Sequence, residues 1–163
     1  MVIPELIKSI VGPWSSVYED SKVLISLTRF MHLAGLLLGG GAAVAFDRAS
    51  ILAVKEGPEY RSHHLAQLRR VHRVVIAGLV LIVVSGLMMV TSDLESFVAA
   101  RTYWIKMALV VALVANGYLI IRVEKRLRPD AQAGWTTLGV TSRISFVLWF
   151  SIVLAGSVLV LVA

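Results

Sequence analysis

Residues 74–91 read VVIAGLVLIVVSGLMMVT and contain no charged side chain. A helix needs roughly 20 apolar residues to cross a hydrocarbon layer about 30 Å thick. This stretch meets that test and is expected to be a membrane span. Three other stretches repeat the pattern: Leu24–Phe46, Tyr103–Ile121 and Ile144–Ala163. The last is also free of charge, while Arg29 lies near the start of the first and Lys106 about one turn into the third. Hydrophobic residues make up 58% of the 163, and the mean hydropathy is +0.82. A soluble chain of this size is about half apolar. The expected fold is all-α: an integral membrane four-helix up-down bundle over residues 23–163, preceded by a separate segment over 1–22.

Charge placement gives the orientation. The chain carries 16 Lys and Arg against 10 Asp and Glu, a net charge of +6. Arg48, Lys55, Arg61, Arg69, Arg70 and Arg73 follow the first stretch, and Arg122, Lys125, Arg126, Arg128 and Arg143 follow the third. The second connection contributes Arg101 beside Asp93 and Glu95. Short loops rich in Lys and Arg stay in the cytoplasm. Both basic loops are thus expected inside and both termini outside, as in a bacterial inner membrane. The basic charge also attracts anionic lipid headgroups. No aromatic residues interleave the basic runs, so nucleic acid is not an expected partner.

With no cysteine, disulfides, thiolate metal sites, iron–sulfur clusters and covalently attached haem are excluded. Pro4, Glu5, Lys8, Gly12 and Pro13 break any apolar core that a cleavable signal would need. Ile3, Leu6, Ile7, Ile10, Val11 and Trp14 instead recur at helical spacing. Val2–Trp14 is expected to be an amphipathic helix ended by Gly12-Pro13, lying on the outer membrane surface with Trp14 and Tyr18 among the headgroups. Docking onto a partner protein is the alternative. Gly57-Pro58 breaks the first basic loop, and from Glu59 a helix can run unbroken into the second span. Asp93–Arg101 reads as a short outer link. The third helix reads as continuing through Arg122–Leu127, and Asp130–Gly134 as a turn.

His32 is the foremost candidate for chemistry. It lies about eight residues into the first span, roughly 10 Å deep, where ionisable groups are expensive and usually functional. Its helical face continues through Thr28, Gly35, Gly39 and Ala43. Small residues at this spacing allow close helix packing, with His32 hydrogen-bonded across it. They also leave a slot in which a flat macrocycle could meet the imidazole as axial ligand. Antiparallel packing brings Met31, Met88, Met89 and Met107 to the same layer, beside Lys106, Tyr103 and Trp104. Imidazole and thioether suit haem iron or Cu(I). Lys106 either snorkels outward towards Asp93 or Glu95 or holds an anionic group. His63, His64 and His72 belong to a basic run expected to be solvated, with His72 alone near enough to face the bundle. His32 and His72 would sit roughly 20 Å apart along the bundle, so bis-histidine ligation within one chain is not expected. Ser85 and Asn116 read as interhelical hydrogen-bond formers.

At Arg29-Phe30-Met31-His32-Leu33, at Tyr103-Trp104-Ile105-Lys106-Met107-Ala108-Leu109 and across Leu68–Met88, the chain resembles the small four-helix membrane proteins around HemJ-type protoporphyrinogen oxidase and the CopD membrane domain. The resemblance implies a b-type haem associated with His32 and a functional role for Lys106. The HemJ-type family opens its last helix with an Asn-Glu-x-Pro-type stretch, where this chain has Arg143-Ile144-Ser145-Phe146-Val147-Leu148. Three functions follow as expectations. The first is a haem b redox protein with its site in the outer leaflet: His32 as ligand, Met88 or Met89 opposite, and Lys106 as propionate-binding or catalytic group. The second is a copper-handling protein using His32 and Met88. The third is a non-catalytic subunit docking a partner membrane protein or a second copy.

Overall fold

The fold is that of a computed structural model, which describes residues 5–128 and 132–162. Every secondary-structure element among them is helical. Four helices are long and apolar enough to cross a membrane, and they account for most of the chain. α1 is Glu5–Asp20, α2 is Lys22–Ala53, α3 is Pro58–Ser92, α4 is Leu94–Ala99, α5 is Arg101–Glu124 and α6 is Gln132–Val162.

Local signals set most of the boundaries. The Ser21 hydroxyl accepts from the Leu24 amide at 3.2 Å and opens α2. Gly57 caps α3 with Pro58 in its first turn, where a missing N–H does no harm. As expected, α3 then runs unbroken from the basic loop into its apolar stretch. The expected link Asp93–Arg101 is instead a turn of helix, α4, because the Asp93 carboxylate accepts from the Ser96 amide at 3.3 Å. α5 stops at Glu124 rather than Leu127. Gly134 is already inside α6, whereas Asp130 and Ala131 lie outside the described residues.

The N-terminal helix departs furthest from expectation. It does not end at Gly12-Pro13 but passes through Pro13 to Asp20. Proline inside a helix costs about 3 kcal/mol, and contacts with the rest of the chain offset it. Trp14 Nε1 donates to the Met88 carbonyl at 3.2 Å, and Ser15 Oγ to the Ser92 carbonyl. The latter is among the acceptors left open at a helix C-terminus. Tyr18 is buried beside Trp14, with ring centroids 5.6 Å apart. The residues expected in the headgroup layer therefore face α3 or are packed within the protein. Val2, Ile3 and Pro4 lie outside the described residues.

Hydrogen bonds and close approaches give the pairing. His32 meets Ser85 and Ser50 meets His64, so α2 and α3 are antiparallel. Asn116 donates to the Thr141 carbonyl at 2.9 Å and Lys106 lies against Gly156, so α5 and α6 are antiparallel too. Lys22, Ser92 and Arg101 mark one end of these pairs, and Ala53, Glu124 and Gln132 the other, basic end.

α2 contains a π-helical turn, Leu36–Gly40. The extra residue per turn rotates the following half of the helix, and with it the faces that Gly39 and Gly40 present. A Cβ on Gly39 would lie 3.0 Å from Gly78 Cα, and one on Gly40 would lie 3.1 Å from the Trp149 ring. One turn thus meets α3 and α6 together. Below it, the half of α2 nearer the basic end packs on both α3 and α6; above it, the half nearer the termini packs chiefly on α3 and α1. The interior is layered. Leu113, Trp149 and Ile152, with Leu36, Leu79, Ile82 and Leu109 around them, form a mid-span apolar cluster. Ala53, Ile120, Trp135 and Leu138 form a second at the basic end.

Candidate functional site

Polar side chains gather in two layers separated by the mid-span cluster. The first, towards the termini, holds His32. Its Nδ1 lies 3.0 Å from Ser85 Oγ. Ser85 is fully buried, and its hydroxyl donates back to the Leu81 carbonyl at 2.5 Å. A hydroxyl has one hydrogen. With that hydrogen on Leu81, Ser85 can only accept, so His32 carries its proton on Nδ1 and keeps the Nε2 lone pair free. An imidazole that ligates through one nitrogen usually donates its other N–H to a neighbouring acceptor in this way. Gly86 lies beside the ring: a Cβ there would be 3.6 Å from His32 Cε1.

Lys106 faces this layer from α5. It lies against α6, where a Cβ on Gly156 would meet its Nζ at 3.5 Å, and its ammonium is near enough to act on the His32 ring electrostatically. Sequence spacing placed His32 and Lys106 at one depth; the structure sets the Ser85 hydroxyl against His32 there, with Lys106 facing the same layer. The glycine slot is different. A Cβ on Gly35 would lie 2.8 Å from the Gly78 carbonyl oxygen and from an Ile82 side-chain carbon. The positions of Gly35 and Gly39 are thus filled by α3, which leaves no slot for a flat group between them.

Met31, Met88, Met89 and Met107 are half-buried. Met88 and Met89 follow Ser85 by about one turn on α3. Their carbonyls accept from Trp14 Nε1 and Ser92 Oγ respectively. Among the described residues no group of three His, Cys, Asp or Glu is placed to hold a metal ion.

The second layer, nearer the basic end, was not anticipated. The basic run expected to be solvated turns inward. His64 is buried; its Nε2 lies 3.0 Å from Ser50 Oγ, and its ring stacks on Phe46 at 4.3 Å between centroids. Burial foremost, and then the neighbouring His63, lower its pKa to about 4. It is therefore neutral at physiological pH. Arg61 is also buried. Its guanidinium donates to the Ala53 and Val54 carbonyls at 2.9 Å and to Gln132 Oε1 at 2.6 Å, with Trp135 beneath it. It closes the C-terminus of α2, where a cation is favoured.

Deeper lie Asp47 on α2, His72 on α3, Glu124 on α5 and Ser142 and Ser145 on α6. Asp47, Glu124, Ser142 and Ser145 are all buried. Ser145 and Ser142 face the Asp47 carboxyl, and His72 Nε2 lies 3.2 Å from Glu124 Oε2. In sequence, Asp47 reads as the end of a span and Glu124 as part of a basic loop. The i, i+3 spacing of Asp47 with Ser50 and of Ser142 with Ser145 was the only signal that these helices continue with a polar inner face. No family model matches the chain, and no curated protein or solved structure matches it either.

Proposed function

We propose that the chain is an up-down four-helix protein of a bacterial inner membrane, with its termini outside and its basic loops in the cytoplasm, that binds haem b in the outer leaflet through His32. The observation carrying this reading is the Ser85 hydrogen bond, which leaves the His32 Nε2 lone pair available in an otherwise apolar span. The short sequence resemblance to HemJ-type proteins points the same way. Bound there, haem supplies one-electron transfer.

The chain's own residues would prepare the site. Ser85 fixes the imidazole tautomer and ring plane. Lys106 offers an ammonium to a propionate or to a substrate carboxylate. Met88 and Met89 are the thioethers within a turn of Ser85, and the mid-span apolar cluster beneath bars water from the basic end. α1, seated on the end of α3, covers this layer and gives the protein an amphipathic outer surface.

The test is a visible spectrum of detergent-purified protein, oxidised and then reduced with dithionite. A Soret band with α and β bands that sharpen on reduction is expected, and His32→Ala should weaken it. Copper bound without porphyrin absorption would replace this reading with a His32–Met88 copper site. A featureless spectrum after haem supplementation, with a second membrane protein or a second copy co-purifying, would leave a docking subunit.

A further inference from the structure

The layer around Asp47 has an imbalance that its own atoms do not resolve. Asp47 Oδ2, both Glu124 oxygens and Ser142 Oγ are buried without a hydrogen-bond partner. Asp47 is 4% exposed, Glu124 8% and Ser142 1%. Glu124 Oε2 approaches His72 Nε2 at 3.2 Å, but not in hydrogen-bonding geometry. Ionised carboxylates only accept. The nearest hydroxyls, Ser142 and Ser145, face the Asp47 carboxyl, and neither Glu124 oxygen has a donor. The missing element is a hydrogen donor.

The surroundings restrict what can provide it. From α2 the titratable group facing this layer is Asp47, from α3 it is His72 with His64 one layer beyond, and from α5 it is Glu124. α6 contributes only hydroxyls. Arg48, Arg122 and Arg143 are exposed and point away. Two buried carboxylates in an apolar span, with His72 the one potential cation beside them among the described residues, cost several kcal/mol per charge when His72 is neutral. A metal would need a third ligand of its own class, which the described residues do not place here. A proton satisfies both the charge and the donor deficit. On either carboxyl it removes one charge and supplies one O–H for the opposite carboxylate.

We propose that Asp47 and Glu124 form a proton-binding site inside the membrane, loaded from the basic end through His72. His72 is the only member with access to the surface, its side chain being 29% exposed against 4% for Glu124. In the transfer, a proton arrives at His72 Nδ1 from solvent, the ring turns to aim Nε2–H at Glu124 Oε2 3.2 Å away, the Nε2–H bond breaks and an O–H bond forms on Oε2. The imidazole ends neutral, as it began, and the proton is then shared with Asp47. The site stands independently of any cofactor at His32.

Infrared difference spectroscopy of the full chain in liposomes, between acid and alkaline buffers in H2O and D2O, tests this. The expected result is a protonated-carboxyl C=O band that shifts down in D2O. Asp47→Asn and Glu124→Gln should each remove part of it, and either variant serves if the other fails to fold. His72→Gln should keep the band and slow its deuterium shift severalfold. Absence of the band, as in an ionised pair satisfied by water, would overturn the proposal. So would a band unaffected by both carboxyl variants, or one displaced by Na+ or K+ at constant pH.

Discussion

Replacing Gly78 with alanine tests the contact on which the geometry of His32 depends. A Cβ at position 78 would lie 2.3 Å from the Gly39 amide nitrogen, 2.4 Å from Gly39 Cα and 2.8 Å from the Gly35 carbonyl oxygen. All three atoms are backbone, so no rotamer relieves the clash. Carbon contacts are comfortable at about 3.5 Å or more, so α2 and α3 must part by roughly 1 Å. Overpacking of this kind costs about 1–3 kcal/mol, and loss of the close glycine crossing adds to it. The same shift acts at His32, one turn from Gly35, whose 3.0 Å hydrogen bond to Ser85 spans these two helices. A matched control is Gly117→Ala, since a Cβ there meets nothing within 4 Å. Both substitutions remove a helical glycine, so the propensity gain of up to about 1 kcal/mol is common to both. Unfolding in mixed micelles should show Gly78→Ala less stable than Gly117→Ala by about 2 kcal/mol or more. Equal stabilities would refute the crossing, and with it the argument that the glycine face is filled by α3.

Arg61→Ala should destabilise the protein by about 3 kcal/mol, because several charge-assisted hydrogen bonds of about 1.5–3 kcal/mol each are lost within a buried site. Arg61→Lys should recover less than half of that, since an ammonium cannot replace the fork; thermal unfolding of both variants reads this. His64 has a folded pKa lowered to about 4, against about 6.5 unfolded. The unfolded chain binds the extra proton between these values, so the contribution of His64 is complete above about pH 6.5 and falls away towards pH 4. Over that window the loss reaches about 3 kcal/mol, and His64→Gln should flatten the difference in melting temperature between pH 7 and pH 4.5. Thr28 is fully buried with its Oγ1 unpartnered. Thr28→Val removes that defect at constant shape and should stabilise by about 1 kcal/mol in the same micelle assay.

The four spans were legible because the bilayer imposes one requirement on every residue of a span, and hydropathy records it residue by residue. The start of α3 at Pro58 was legible through local proline and glycine chemistry. Ser85 and Asn116 were legible as interhelical hydrogen-bond formers because a lone hydroxyl or amide in a span has few other uses. Arg61 and His64 were not. A basic residue in a basic run reads as solvated, and only the packing of α3 across the end of α2 turns these two inward over Trp135. The π turn at Leu36–Gly40 depends on simultaneous contact with Gly78 and Trp149, which no window of the sequence contains. The course of α1 past Pro13 was missed for a similar reason, since the groups that offset the proline lie on α3, at Met88 and Ser92.

The inner layer shows why such sites escape reading from composition. Asp47, His72, Glu124 and Ser142 come from four different helices, and each lies near the end of its span, where a polar residue is ordinary. What makes them unusual is that the helices extend beyond their apolar stretches and pack there around Trp135 and Leu138. The layer is thereby buried except at His72 instead of opening freely to the headgroups. Buried carboxylates with unmet oxygens lower stability, and apolar replacements of similar size commonly raise it. A fold that keeps two of them, with serines aimed at one and a histidine beside the other, is not arranged for stability at that point. Conflict between local chemistry and packing is expected where a protein binds or moves something. At His32 the conflict is smaller, because Ser85 meets Nδ1 and leaves a single nitrogen open. The two layers therefore call for different tests: a ligand search at His32, and a proton measurement at Asp47 and Glu124.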